Sequence, residues 1–125
     1  MNKKNNYWIA AGFVTLFTFF LHLIGGQLSL VNPMLNAELN KEVNSQMVGA
    51  WHMVTLLLLF MAVIFLQAGF SKKYTSNLEL LKLIGYLNLI FCTPFLISGF
   101  FYGIFVPQWT LFLPIGILTV LGTRK

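Results

Sequence analysis

Four apolar runs, at residues 7–28, 48–69, 78–102 and 107–122, divide the chain, and the polar residues collect in the connections between them. The first three each offer roughly the 20 apolar residues that a helix needs to cross a 30 Å hydrocarbon layer. The fourth would be about 24 Å long if fully helical, and Pro114 interrupts it. Pro94 lies inside the third run, where it deletes a backbone hydrogen bond, crowds the preceding turn and predicts a bend. That run opens on Ser76-Asn77-Leu78-Glu79, the form of a capping box with a hydroxyl at the N-cap and a carboxylate three residues later. The first run follows a polar, basic leader. It is long for the apolar part of a signal peptide and no small-x-small cleavage pattern precedes Gly25, so it reads as a retained helix.

Between the first two runs, Asn32-Pro33 supplies an N-cap residue followed by proline at the first helical position. Leu35, Leu39 and Val43 then recur every four residues against Asn36, Glu38, Asn40, Lys41 and Asn44. The spacing predicts a short amphipathic helix over residues 32–46, lying on the outer membrane surface. A polar loop with a coincidental pattern is the alternative.

Composition moves the reading from helices in general to helices in lipid. The chain has 125 residues, 58% of them apolar and 9% charged, which is one domain's worth of material (1–125) with too little polar surface for water. The net charge of +5 does not point to nucleic acid, because the basic residues form no patch among aromatics. Seven of the eight flank the runs at Lys3, Lys4, Lys72, Lys73, Lys82, Arg124 and Lys125, while Lys41 sits beside Glu38 and Glu42. Basic residues near helix ends are retained in the cytoplasm. The expected architecture is therefore an all-α integral membrane protein: a four-transmembrane-helix bundle with both termini cytoplasmic. Tyr7 and Trp8 at the inner interface, and Trp51, Tyr102 and Trp109 at the outer one, fit the aromatic belts of such a bundle. One cysteine, Cys92, excludes an intramolecular disulfide.

Candidate chemistry concentrates on two histidines. His22 lies shortly before the outer end of the first helix and His52 shortly after the outer start of the second, so both fall roughly 7 to 8 Å below the outer interface. Polar residues at membrane depth commonly face the bundle interior. Ala11, Thr15, Thr18 and His22 share one stripe, His52, Thr55 and Ala62 a second, and Gly85, Asn88, Cys92, Gly99 and Tyr102 a third. Close helix packing is sufficient reason for the small and hydroxyl members. For the histidines three readings stand: neutral imidazoles satisfied by a carbonyl or by Gln27, Gln108 or each other; axial ligands of a haem b; or a copper or zinc site with Met47 or Met53. Against the haem, the outer side offers only Lys41 to its propionates. Met53 follows His52 directly and so points about 100° away from it. A quinone or lipid pocket lined by Trp51, His52, Tyr102, Gln108 and Trp109 is a further reading. No carboxylate other than Glu79 lies in the runs, which gives catalysis little to work with.

Leu21-His22-Leu23-Ile24-Gly25-Gly26, Trp51-His52-Met53-Val54 and Pro107-Gln108-Trp109 with Phe112-Leu113-Pro114-Ile115-Gly116 together resemble a family of small four-helix bacterial inner-membrane proteins to which no activity is attached. The resemblance implies the fold and transfers no activity. The expected function is non-enzymatic: binding of an apolar ligand, or service as an accessory subunit or homo-oligomer in a membrane assembly. The alternative is a redox protein holding haem b or copper at His22 and His52.

Overall fold

The computed structural model describes residues 4–37, 39–71 and 77–124. It is all-helical there, with α1 at Asn6–Asn36, α2 at Lys41–Phe70, α3 at Leu78–Tyr102 and α4 at Trp109–Gly122. The first three are long and apolar enough to cross a membrane, and α4 is a shorter apolar helix. The helices run up, down, up and down. α1 packs on α2 and α4, and α4 on α3. α2 and α3 complete the ring less closely.

Local chemistry sets the helix ends. Asn5 caps α1 and Asn40 caps α2, the latter accepting the Val43 N–H at 3.0 Å with Glu42 in the first turn. α3 occupies the range expected from its apolar run. Its cap is Asn77, whose Oδ1 accepts the Leu80 N–H at 3.1 Å, and not Ser76, which lies outside the described residues, as do Glu38, Lys72 and Lys73. At the far end of α3 Gly103 takes a φ of +64°, while Ile104 N–H reaches the Gly99 carbonyl at 3.0 Å and Gly103 N–H the Phe100 carbonyl at 3.3 Å. That is a Schellman closure, which glycine enters without a Cβ clash.

The separate amphipathic helix expected over 32–46 is not formed. Residues 32–36 continue α1 through an eleven-residue π-helical segment, Leu21–Val31, and residues 41–46 belong to α2. Capping accounts for the difference: Asn40 provides a stronger helix start than Asn32, whose own backbone is already helical with φ −62° and ψ −47°. Leu35, Leu39 and Val43 consequently lie exposed around the break between two long helices.

The exterior departs from that of a soluble bundle. The core mixes Trp8, Leu58, Phe65 and Ile115 with buried Thr15, Thr18, Thr55, Asn88 and Thr119, whereas Phe13, Phe17, Ile24, Met53, Phe60, Leu83 and Ile90 cover the outside. The exterior is lipid-like, and the helices suit a membrane. Four interior threonines donate to carbonyls four residues back, to Ala11, Val14, Trp51 and Ile115, so they enter the core already satisfied. Close approach is set by glycine. A Cβ on Gly69 would stand 2.8 Å from the Ile9 backbone nitrogen, and one on Gly116 would stand 2.9 Å from the Gly85 carbonyl.

The end carrying the chain termini, here called the base, is tied by two residues. Asn5 donates its backbone N–H to Gly69 O at 2.9 Å and its side-chain amide to Gly122 O at 2.8 Å. Trp8, 1% exposed, donates Nε1–H to Thr119 O at 3.1 Å. Trp8 is therefore a core residue and not the interface aromatic expected from its position, because Gly122 leaves room for its indole.

Inside α3 the gap made by Pro94 is filled. Its missing N–H leaves the Ile90 carbonyl without an α-helical donor, and the Thr93 hydroxyl donates to that oxygen at 2.8 Å. Thr93→Val should lower stability by about 1 kcal/mol. The loss should vanish in a Pro94→Ala background, where the restored backbone N–H takes over the carbonyl. Reversible unfolding of the four proteins in mixed micelles measures this cycle; equal losses in both backgrounds would show that Thr93 matters for another reason.

Candidate ligand-binding groove

The sequence-level site residues divide between several places. His22, at the start of the π segment, directs Nδ1 to Thr55 Oγ1 at 2.9 Å and stacks on Trp51, with ring centroids 3.9 Å apart and planes 13° from parallel. Thr55 has a single hydroxyl proton, which it places on the Trp51 carbonyl at 3.1 Å. With the proton there, Nδ1–H of His22 is the donor to Thr55 Oγ1, and Nε2 carries the lone pair. Trp51 is pressed against the helix beyond that ring: a Cβ on Gly26 would collide with the indole. Gly26 and His22 thus form a flat seat for Trp51.

His52 is exposed on α2; it is near enough to His22 for their charges to interact, but His22 gives its hydrogen bond to Thr55 and its ring face to Trp51. The reason is angular. Neighbouring residues on a helix differ by about 100°, and the buried stripe Thr55, Leu58, Ala62, Phe65 and Gly69 extends back to Trp51. His52 is carried to the flank. Its expected place on the inward stripe with Thr55 and Ala62 is therefore corrected, and the placement lends a bis-histidine haem no support. For copper or zinc, no group of three or more metal-binding His, Cys, Asp or Glu side chains gathers among the described residues, and Met47 and Met53 are exposed.

The remaining expected site residues also separate. Gln27 donates to Asn32 Oδ1 at 2.9 Å, a five-residue spacing that the π winding brings into line. Tyr102 is exposed, beside Phe100, Phe101 and Phe105 at the end away from the base. Gln108 and Trp109 begin α4, half-buried, and the Trp109 carbonyl lies 3.6 Å from Cys92 Sγ.

Where α2 and α3 stand apart, an entirely apolar groove of about 210 Å³ opens between them. Val54, Leu57, Leu58 and Met61 form one wall, Phe91, Pro94 and Phe95 the other, and Phe112 of α4 belongs to the same lining. Phe112 packs edge-on to Phe91, with centroids 5.6 Å apart, and parallel to Phe95 at 6.0 Å. Asn88 lies one turn nearer the base. Its amide donates to Ile84 O at 2.8 Å and reaches Met61 Sδ at 3.5 Å, linking α3 to α2. Trp51 Nε1–H, Gln108 Oε1, Asn88 Oδ1 and Asn44 Oδ1 are buried without a partner among the described residues; none of these four residues lines the groove.

No protein-family model, curated protein or solved structure matches this chain. The motif resemblance assigns no role to any residue of the groove.

The groove itself was hidden from sequence reasoning, because its walls are ordinary apolar residues and its existence depends on how far α2 and α3 separate. Pro94 was the one visible signal, since proline in a membrane helix calls for neighbouring protein or local adjustment.

Proposed function

We propose that this protein is a non-enzymatic, four-span membrane protein, its base in the cytoplasm, that holds an apolar chain in the groove between α2 and α3. The observation that carries the reading is the all-apolar groove itself, walled by α2 and α3 and lined also by Phe112 of α4. A ligand with an acyl or isoprenoid tail fills it. The volume, about 210 Å³, lies below the roughly 300 Å³ at which drug-sized sites begin. It suits one chain and is too narrow for a helix of another subunit, about 10 Å across.

Organic extraction of protein purified from its native membrane in mild detergent, followed by mass spectrometry, tests the reading. One apolar molecule should accompany the protein in near-stoichiometric amount. Leu57→Trp, which fills the groove, should reduce it about tenfold, and Trp51→Phe, outside the lining, should leave it within about twofold. Folded protein carrying only bulk lipid, in the same proportions with and without Leu57→Trp, would sink the reading.

A further inference from the structure

A second cavity, of about 270 Å³, lies at the base between the start of α3 and the end of α4, lined by Leu78, Glu79, Lys82, Tyr86, Val120, Thr123 and Arg124. It shares no lining residue with the groove. Its chemistry is different too. Two cations and one carboxylate give the lining a net charge of +1, and no ion pair joins Glu79 to Lys82 or Arg124 among the described residues. Both cations are therefore open to an outside anion. Lys82 is half-buried on the first turns of α3, and Arg124 extends from the end of α4, so the two approach from different helices. The opening turn of α3 adds amide N–H groups without helical acceptors, together with the positive end of its dipole.

The oxygens of the lining call for donors. Thr123 spends its hydroxyl proton on the Val120 carbonyl at 2.7 Å, which leaves its oxygen as an acceptor, and the Glu79 carboxylate only accepts. Tyr86 is able to do either. Leu78 and Val120 provide apolar surface beside these polar groups.

We propose that this cavity binds the headgroup of an anionic phospholipid of the cytoplasmic leaflet, one whose phosphodiester carries a hydroxylated alcohol. Lys82 and Arg124 take the phosphate, and Glu79 and Thr123 accept from the hydroxyls. A basic pocket at helix ends on the cytoplasmic side is the setting in which such headgroups are held. The assignment goes beyond the groove reading and rests only on the membrane placement proposed with it.

The test is a lipid titration followed by native mass spectrometry, on delipidated full-length protein in mild detergent. Phosphatidylglycerol, phosphatidylethanolamine and phosphatidylcholine with identical acyl chains are compared, with inorganic phosphate as competitor. Phosphatidylglycerol should bind most tightly. Lys82→Gln and Arg124→Gln should each weaken it about fivefold, the effect of one basic residue at a membrane surface. Lys82→Arg should leave it within about twofold, and Lys41→Gln, at the opposite end, should leave it unchanged. Helix content by circular dichroism confirms that each variant is folded. Equal affinity for the three lipids, or equal losses in Lys82→Gln and Lys41→Gln, would overturn the site. Displacement of the lipid by millimolar inorganic phosphate would assign it to a soluble anion and overturn the lipid. Leu57→Trp should leave phosphatidylglycerol affinity intact, so the groove and this cavity stand or fall separately.

Discussion

Gly69→Val should destabilise the protein by about 2–3 kcal/mol, the upper part of the range for overpacking a tight contact. At this position even a Cβ would stand 2.6 Å from the Ile9 side chain, 2.8 Å from its backbone nitrogen and 3.2 Å from its Cα. A side chain can rotate away, but a backbone moves only if α1 and α2 part. They are held together at that point by the bond from Asn5 N–H to Gly69 O, so parting them also breaks a hydrogen bond at the base. The contrasting position is Gly49, also inside α2, where a Cβ meets nothing within 4 Å. Gly49→Ala should stabilise by roughly 0.5–1 kcal/mol through helix propensity alone. Unfolding free energies measured in mixed micelles should show opposite signs; destabilisation at Gly49 equal to that at Gly69 would mean that helix contact does not govern either.

Asn5→Ala should cost about 2 kcal/mol. The side chain performs two tasks, each with its own magnitude. Its Oδ1 caps α1, accepting from Tyr7 N–H at 3.2 Å and Trp8 N–H at 3.4 Å, and a lost N-cap costs about 1 kcal/mol. Its Nδ2 donates to the Gly122 carbonyl at 2.8 Å, and an interhelical bond in lipid contributes roughly 0.6 to 1.7 kcal/mol. Asn5→Asp keeps the acceptor and loses the donor, so it should recover about half of the loss. An Asp variant as unstable as the Ala variant would place the whole effect on the link to α4. The fluorescence of Trp8, which sits on Gly122 beside this link, gives a local readout.

The helices were legible wherever one local signal dominated. α3 could be read from residue 78 to residue 102 because its apolar run is continuous over that range, although the cap was expected at Ser76 where Asn77 provides it and the Gly103 closure was overlooked. The start of α2 was placed several residues late, since hydropathy falls before Val48. Asn40 and Glu42 were the overlooked signal, a cap followed by an acid in the first turn. The interior threonines and glycines were read as packing residues, and Ala11, Thr15, Thr18, Gly85, Asn88 and Cys92 are indeed buried.

The candidate site was less legible, because one residue of helix phase decides it. His52 and Trp51 have the same depth, and depth is all that a topology argument supplies. Which of the two turns inward depends on the fit to the facing helix, where Gly26 accommodates an indole. The role of Asn5 was invisible for a similar reason: its partners, Gly69 and Gly122, are carbonyls at the ends of two other helices. Gln27 found a partner five residues away, a spacing no α-helical template connects. The splaying of α2 from α3, which makes the groove, is a property of the assembled bundle.

The difference in helix length has a consequence for the surrounding lipid. α4 has 14 residues, about 21 Å of helix, beside a 31-residue α1 that is longer than any hydrocarbon layer. In a 30 Å layer, hydrophobic mismatch of about 9 Å falls on the α4 side alone. On the four-span placement proposed above, the bilayer there would thin, or α4 would be sheltered, at a fraction of a kcal/mol per Å. Such a molecule would sort towards thinner membrane and draw short-chain lipids to one of its flanks, so its position in a mixed bilayer would be set by thickness as well as by any ligand it holds.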